Sequence, residues 1–510
     1  MRVALLVVAL VVVAVAGAGG VGSARPTQPP ARLPASAKSE APAKPYGVDF
    51  ADLKGAFATR PSTTCASSSC HGGGHPGDKG SEHSTWAPEA SPPANAPADP
   101  HAKAYRVLFN PVSVRMGKIL KLTPHKDRRC LVCHAVEGGK ELEPDAREQI
   151  LSEGVGCAGC HGPSDKWIAE HYLPGWKARS NQSKWQDFGF VPTKSLVART
   201  LNCAGCHVGD AERDMNHDFI AAGHPRLAFE PARFHHQPDY RKHWAEKGRA
   251  KDFEVRLWVV GQVATLRASI NLLAERANRA DKPDAHTPWP EFSGYSCYSC
   301  HQTIGDPELR NALSDSPRPP GLPGWEVWSN TGFDVAANAC EQAFPGLSSP
   351  KRAEVEKLRS LMASRRSPDM AEVARQAKAA VAELDRWLAE VQSAEERGLE
   401  DVAADSPQRI ARDLAQNALS KDGKRLADHD WDSLAANYLG VAAMYHAAGG
   451  KGGAGATWRE PLAALGDSLR FPSLPGARAD GPFKFGRLKL DTIRDKFEFL
   501  RTGASASEGK

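Results

Sequence analysis

Five pairs of cysteines, each followed directly by a histidine, constrain this 510-residue chain more than any other feature. The gap between the two cysteines is two residues in four of the motifs and four residues in the first. The five motifs are Cys65-Ala-Ser-Ser-Ser-Cys70-His71, Cys130-Leu-Val-Cys133-His134, Cys157-Ala-Gly-Cys160-His161, Cys203-Ala-Gly-Cys206-His207 and Cys297-Tyr-Ser-Cys300-His301. Two thiols at this spacing can add to the vinyl groups at one porphyrin edge, and the adjacent histidine then supplies the proximal nitrogen to iron. The motifs predict five covalently bound haem c groups.

Paired cysteines also occur in zinc sites and redox disulfides, but neither requires a histidine at the next position every time. The first motif departs from the common spacing, because four residues separate Cys65 from Cys70. A loop of that length can bulge outward and still bring both sulfurs to the vinyl edge. The alternative is a short disulfide loop that leaves His71 unused. The eleventh cysteine, Cys340, belongs to no motif and is expected to be a buried thiol.

A sixth iron ligand, or its absence, decides whether a haem transfers electrons or binds a substrate. Four histidines outside the motifs are expected to be distal ligands from their sequence context: His101, His171, His217 and His224. His217 and His224 are seven residues apart, which predicts two turns along one helical face. The basic segment around His243 is expected to lie at the surface or behind the ligands.

The motif order resembles that of the cytochrome c-552/c-554 family of multihaem cytochromes over about residues 60 to 305. His101, in His-Ala-Lys-Ala, is similar to the helix that supplies the family's first distal ligand. Gly154-Val-Gly-Cys157-Ala-Gly-Cys160-His161-Gly-Pro, with His171, is similar to its third haem segment and distal ligand. The chain differs from four-haem members in its fifth motif, its Asn216–Pro225 segment and its C-terminal part. The resemblance implies stacked haems with neighbouring irons close enough for fast electron transfer.

One iron is expected to have an open or weakly held sixth position, since four distal candidates serve five motifs. The resemblance points to the haem at Cys130–His134. At the corresponding motif, the family has a haem whose sixth iron position can be open. His125 is the rival for this vacancy. It precedes Cys130 by only five residues, so a neighbouring haem would be easier for it to reach than its own.

Helical periodicity and the many turn residues predict a mainly α fold with extensive loops. The chain contains 45 Gly and 38 Pro, which makes it loop-rich without low complexity. Apolar residues recur at helical intervals over residues 254–280, 370–397 and 431–448. Asp430 or Asp432 is expected to cap the last of these helices.

A Pro-rich stretch at Ser316–Gly324 predicts a boundary between two parts of the chain. Residues 49–315 are expected to form a pentahaem cytochrome c domain. Residues 325–503 are expected to form an α-helical C-terminal domain.

The N-terminal sequence predicts export. Residues 1–24 combine Arg2, an apolar run from Val3 to Ala16 and a small-residue cleavage site, as in a signal peptide. The alternative is an uncleaved anchor, the one case in which membrane contact is expected. Residues 25–48 are rich in Pro and Ala and predict an extended tether. The protein is therefore expected in the periplasm, or anchored at the outer face of the inner membrane.

Charge and motif content together separate the possible functions. The net charge is only +5, with 65 basic and 60 acidic residues, which argues against nucleic-acid binding. The leading hypothesis is a pentahaem cytochrome that carries electrons between redox partner proteins through stacked, mostly bis-histidine haems. One alternative is an oxidoreductase that acts on a small nitrogen or sulfur compound at one open-faced haem. Another alternative is a structural or binding protein in which the haems mainly stabilise the fold. No residue is assigned a catalytic role.

Overall fold

The computed structural model describes most of the chain beyond residue 43. The described residues are 44–47, 56–75, 78–87, 99–136, 144–237, 240, 242–244, 246, 250–282, 287–301, 321–427, 430–450, 456–469 and 490–502. The predicted signal segment, residues 25–43 and 48 of the predicted tether, and residues 316–320 of the predicted boundary lie outside them.

The motif-bearing part of the chain consists of short helices joined by long loops. Its α-helices are α1 (Glu82–Trp86), α2 (Pro111–Leu120), α3 (Arg128–His134), α4 (Pro144–Ser152), α5 (Cys157–His161), α6 (Asn181–Phe188), α7 (Leu196–His207), α8 (His217–Ala221), α9 (Pro231–His235), α10 (Ala250–Ala280) and α11 (Cys297–His301). Single 3₁₀ turns span Ser62–Cys65, Pro100–Lys103, Arg106–Phe109, Pro174–Ala178 and Phe292–Gly294.

The C-terminal part consists of longer helices. These are α12 (Val327–Asn338), α13 (Cys340–Ala343), α14 (Ala353–Ser364), α15 (Met370–Arg397), α16 (Ser406–Asn417), α17 (Trp431–Ala447), α18 (Arg459–Ser468) and α19 (Leu490–Thr502), with a 3₁₀ turn at Ala456–Trp458. In the described part of the chain, β-pairing is limited to two isolated bridges, Tyr295 with Trp325 and Leu419 with Leu426. The predicted mainly α fold with extensive loops is confirmed.

The three long helices expected from periodicity are also confirmed, at α10, α15 and α17. Their starts follow from ordinary capping chemistry. The Asp369 carboxylate accepts a hydrogen bond from the Glu372 backbone N–H, and Asp430 accepts one from Asp432. Of the two cap candidates for α17, Asp430 is therefore the one used.

Helix α10 forms the centre of the core. It packs against α7, α12, α15 and α17, and apolar residues on all its sides are buried, among them Val259, Leu266 and Ile270. It is long and apolar enough to cross a membrane, but 94% of its most apolar window is buried within the protein. Burial on every side is typical of the central helix of a globular core.

This core joins the two predicted domains. The buried residues of α7, such as Val197, contact α10, and α10 packs against Leu384 and Leu388 of α15. All described residues belong to one compact unit that spans residues 41–510. The domain boundary at the Pro-rich stretch stays a prediction, and a single apolar core contains residues from both sides of it.

A buried ion pair strengthens the contact between α10 and α15. The Arg267 guanidinium donates to both carboxylate oxygens of Asp385, at 2.8 and 3.0 Å, and both side chains are buried. Bidentate geometry of this kind offsets the free-energy cost of removing two charged groups from water.

Candidate haem sites

Four of the five motifs lie at the end of a helix that stops at the motif histidine. Helices α3, α5, α7 and α11 end at His134, His161, His207 and His301. In a helix the two cysteines of such a motif are three residues apart and project from the same side, with the histidine following at the last turn. Local helix geometry therefore presents the two thiols together, as attachment at one porphyrin edge requires.

The first motif lies in a turn that follows a short 3₁₀ helix. The 3₁₀ turn at Ser62–Cys65 ends on its first cysteine, and the four intervening residues fold back as a turn. In that turn the Ser67 carbonyl accepts hydrogen bonds from the N–H groups of Cys70 (2.9 Å) and Gly72 (3.0 Å). Cys65 and Cys70 are not joined by a disulfide, nor are any of the other nine cysteines, all of which the structure describes, and Cys340 is fully buried as expected.

Each motif histidine faces a second histidine, and we number these sites by motif order. The pairs and the distances between their ring centroids are His71 with His171 (site 1, 6.1 Å), His134 with His224 (site 2, 6.3 Å), His161 with His243 (site 3, 6.3 Å), His207 with His101 (site 4, 6.1 Å) and His301 with His217 (site 5, 6.5 Å). The four distal candidates of the sequence analysis each occupy one of these positions, and His243 occupies the remaining one.

These distances fit one metal ion between each pair of rings. A metal–imidazole bond is about 2.0 Å long and the bonding nitrogen lies about 1.1 Å from the ring centre, so two imidazoles on opposite sides of one metal ion would have centroids roughly 6.2 Å apart. Two histidine rings in direct contact can be closer, as His236 and His446 are, with centroids 4.5 Å apart. The separations in sites 1 to 5 therefore suit axial coordination from both faces of a haem.

Hydrogen bonds at Nδ1 fix the orientation of five of these ten rings. The Nδ1 atoms of His134, His171 and His224 donate to the backbone carbonyls of Ala104, Ile168 and Pro225, each at 2.8 Å. The rings of His71 and His101 make the same contact with carboxylates, at 2.8 Å from Glu82 and from Asp99 respectively. A proton held on Nδ1 leaves the Nε2 lone pair available to a metal, and such outer contacts also fix the ring plane.

Burial keeps two of the motif imidazoles neutral. It lowers the pKa of His161 to about 4, with the neighbouring His243 as the next cause. Burial likewise lowers the pKa of His207 to about 3, with His101 as the further cause. A neutral imidazole has the free lone pair that metal coordination requires.

His101 is held in place by its own local structure. Asp99 caps the 3₁₀ turn at Pro100–Lys103 by accepting from the His101 N–H at 2.9 Å, and it also binds the ring. Burial by itself would lower the pKa of His101, but the bond and charge of Asp99 outweigh it and raise that pKa. The His101 carbonyl accepts from the Val155 N–H at 2.9 Å, beside Gly154, whose φ of +71° brings the two segments close.

Sequence reasoning missed His243, because its basic segment carries no motif. The structure places it opposite His161 rather than at the surface or behind the ligands. The next residue, Trp244, packs on the His243 ring at 5.0 Å and on the Arg199 guanidinium at 5.3 Å, and it donates to the Glu246 carboxylate. Arg199, on α7, also donates to Glu246 at 2.6 Å. These contacts attach the segment to α7, and no periodic pattern would have revealed them.

The prediction that His217 and His224 share one helical face is wrong. Helix α8 is only five residues long, His217–Ala221, and Gly223 with a φ of +116° turns the chain before His224. The turn directs the two rings to different sites, 5 and 2. His217 and His224 thus face two different motif histidines, and they do so from a short helix and a turn instead of one helical face.

The predicted vacancy at Cys130–His134 coincides with site 2, where His224 faces the motif histidine. His125, the rival candidate, instead stacks on Phe109 with their ring centroids 4.4 Å apart. With His243 included, each of the five motif histidines has another histidine opposite it.

Comparison with known proteins identifies one segment of the chain. Residues 95–162 match the family model described as cytochrome c554 and c-prime. No curated protein and no solved structure matches the chain. The matched segment is shorter than the resemblance seen in the motif order, and it contains His101 together with the second and third motifs. This segment is therefore similar to cytochromes c, which bind haem c covalently and transfer electrons, and the match supports that kind of protein.

Proposed function

We propose that the protein is an exported pentahaem cytochrome in which all five irons have two histidine ligands and pass electrons between redox partner proteins. The observation that carries this proposal is the second histidine opposite each motif histidine, at 6.1 to 6.5 Å. An iron with both axial positions filled has no place for a substrate. The alternative of an oxidoreductase at an open-faced haem therefore receives no support from the geometry.

Contacts between neighbouring sites support a continuous electron path. Sites 1 and 3 meet beside their first cysteines, where the Cys157 N–H donates to Ser62 Oγ at 3.0 Å and the sulfurs of Cys65 and Cys157 are neighbours. The Trp167 ring also lies between them, with its centroid 6.5 Å from that of His161 and 5.5 Å from that of His171. Haems attached to adjacent sulfurs would have their edges close together.

The path continues from site 3 to site 4 and from there to site 2. The Asn202 side-chain amide, on α7, donates to the carbonyls of Gly159 (3.1 Å) and Cys160 (3.0 Å). The Cys206 sulfur of site 4 in turn lies 3.9 Å from the carbonyl oxygen of Val132, inside the motif of site 2, and is a neighbour of the Cys133 sulfur. Each step thus joins two motifs through groups that belong to the motifs or lie beside them.

Site 5 joins site 2 through α8 and the turn that follows it, since His217 and His224 are only seven residues apart. We therefore propose the order 1–3–4–2–5. The residues supply axial ligands, ring orientation and a surrounding of low polarity, while bound haem supplies the one-electron chemistry.

The mass of the intact exported protein tests the number of haems. It should exceed the mass of the signal-processed polypeptide by five haem groups, and that polypeptide mass also locates the cleavage site. A variant with Cys65→Ala and Cys70→Ala should lose one haem, while Cys340→Ala, as a matched control, should lose none. An excess of four haems in the wild type would show that the first motif is not an attachment site. Three or fewer would contradict the proposed function.

A further inference from the structure

The segment that precedes the second motif carries a one-sided charge. Residues 100–126 contain six Lys and Arg and no Asp or Glu, although the whole chain is nearly balanced, with 65 basic and 60 acidic residues. All six basic side chains are exposed: Lys103, Arg106, Arg115, Lys118, Lys121 and Lys126. This local excess therefore does not follow from a generally basic composition.

The same segment exposes an unusual amount of apolar surface. Of the eight large apolar side chains that stand exposed in the described part of the chain, five lie here. They are Val107 (39% exposed), Phe109 (50%), Val112 (47%), Val114 (43%) and Ile119 (58%). We call these five residues and the six basic ones the basic face. Exposed apolar side chains interspersed with charged ones are typical of a surface that binds another molecule.

The basic face lies directly behind the ligands of site 2. The carbonyl of Ala104, between the first basic residues, accepts the hydrogen bond of the His134 ring. On the other side, helix α2 packs against α8, and Met116 lies beside Gly223, the residue before His224. A molecule bound here would approach site 2 through one layer of protein.

We propose that the basic face is the docking site of an acidic redox protein that exchanges electrons with the haem of site 2. The proposal rests on the electron-transfer function above and names the kind of partner. Complementary charge steers such a partner into contact, and the apolar residues exclude water from the centre of the contact. Site 2 is one step from the end of the proposed path, so an electron received there can move to site 4 or to site 5.

An anionic membrane surface is the other surface that basic and apolar residues could bind. An interfacial helix needs its apolar residues on one face. On α2, however, Val112 and Val114 lie roughly 160° apart around the helix axis. The basic face also lies next to both histidines of site 2. This position matters for function only if the partner exchanges electrons with that site. These two observations favour a protein partner.

Stopped-flow reduction by flavodoxin hydroquinone, an acidic flavoprotein, tests the proposal. In each transfer the hydroquinone loses one electron and becomes the semiquinone, while one ferric haem becomes ferrous. The rate constant for the wild-type cytochrome should fall as ionic strength rises, because salt screens the attraction. A rate constant that is independent of ionic strength, or rises with it, would overturn the proposal.

Charge reversal locates the docking site. The variant R115E/K118E/K126E should react at least about tenfold more slowly at low ionic strength. The control K351E/R365E/R366E makes the same change in net charge at exposed residues of the C-terminal part, and it should retain most of the wild-type rate. An equal loss in the control, or no loss in the first variant, would overturn the proposal.

Two further measurements distinguish failure of the docking proposal from failure of the proposed electron-transfer function. Dithionite should reduce the haems of all three proteins completely, with the same spectra, which shows that haem attachment and ligation are intact. If dithionite reduces the wild type and flavodoxin does not, the docking proposal fails while the electron-transfer function stands. If the wild-type spectra show unligated or missing haem, the proposed function itself fails. If charge reversal abolishes sedimentation with phosphatidylserine vesicles but leaves the flavodoxin rate unchanged, the basic face is a membrane surface and the proposal is overturned.

Discussion

Replacing His243 with alanine should leave every haem attached but convert one iron from low-spin to high-spin. The thioether bonds of Cys157 and Cys160 do not depend on the distal ligand, so the mass of bound haem should not change. The His161 ring faces His243 with a centroid separation of 6.3 Å, and alanine has no nitrogen to occupy the vacated position. The exposed iron should then bind carbon monoxide when reduced, in a ratio of one per protein.

The matched control is His125→Ala. His125 stacks on Phe109 and faces none of the motif histidines, so this variant should keep all irons low-spin and bind no carbon monoxide. Electron paramagnetic resonance of the oxidised variants measures the spin states. If His125→Ala produced the high-spin iron and His243→Ala did not, the assignment of site 3 would be wrong.

Replacing Asp385 with alanine should reduce the free energy of unfolding by about 3–5 kcal/mol, because it leaves the buried Arg267 guanidinium without its partner. Both side chains lie between α10 and α15, where water cannot replace the lost carboxylate. Urea unfolding of the haem-loaded protein, followed by the far-ultraviolet circular dichroism of its helices, measures the change. The spin states of the haem irons should remain unaltered, since the Arg267–Asp385 pair lies among the helices of the core.

Two control variants distinguish a buried pair from a surface pair. Glu372→Ala, on the same helix, removes an exposed partner 4.0 Å from Arg375 and should cost less than about 1 kcal/mol. Combining Asp385→Ala with Arg267→Leu removes the unpaired charge and should recover much of the lost stability. A loss at Asp385 no larger than that at Glu372 would contradict the stabilising role of the pair.

The sequence best predicted those structural features that depend on residues close together in the chain. The motifs, the cap at Asp430 and the long helices are all set by residues a few positions apart, and the structure contains them within a few residues of their expected bounds. Helix α10 was predicted from residue 254 and begins at Ala250. Local hydrogen bonds and side-chain periodicity explain this success.

Ligand pairing could not be predicted in the same way, because it depends on contacts between distant segments. His101 faces His207, which is more than a hundred positions away, and His243 faces His161 although α6, α7, α8 and α9 lie between them in the sequence. Context separated four of the distal candidates from other histidines but could not say which motif each would face. His243 reaches its place through Trp244, Glu246 and Arg199, whose contacts form only in the folded chain.

The central claim is that five haems each have two histidine ligands, and the spin state of the oxidised wild-type protein tests it most directly. Electron paramagnetic resonance with spin quantification should account for five ferric haems, every one of them low-spin. Added cyanide or nitric oxide should produce no stoichiometric complex. A high-spin signal that integrates to one haem per protein, together with stoichiometric binding of either molecule, would show an open iron and contradict the claim.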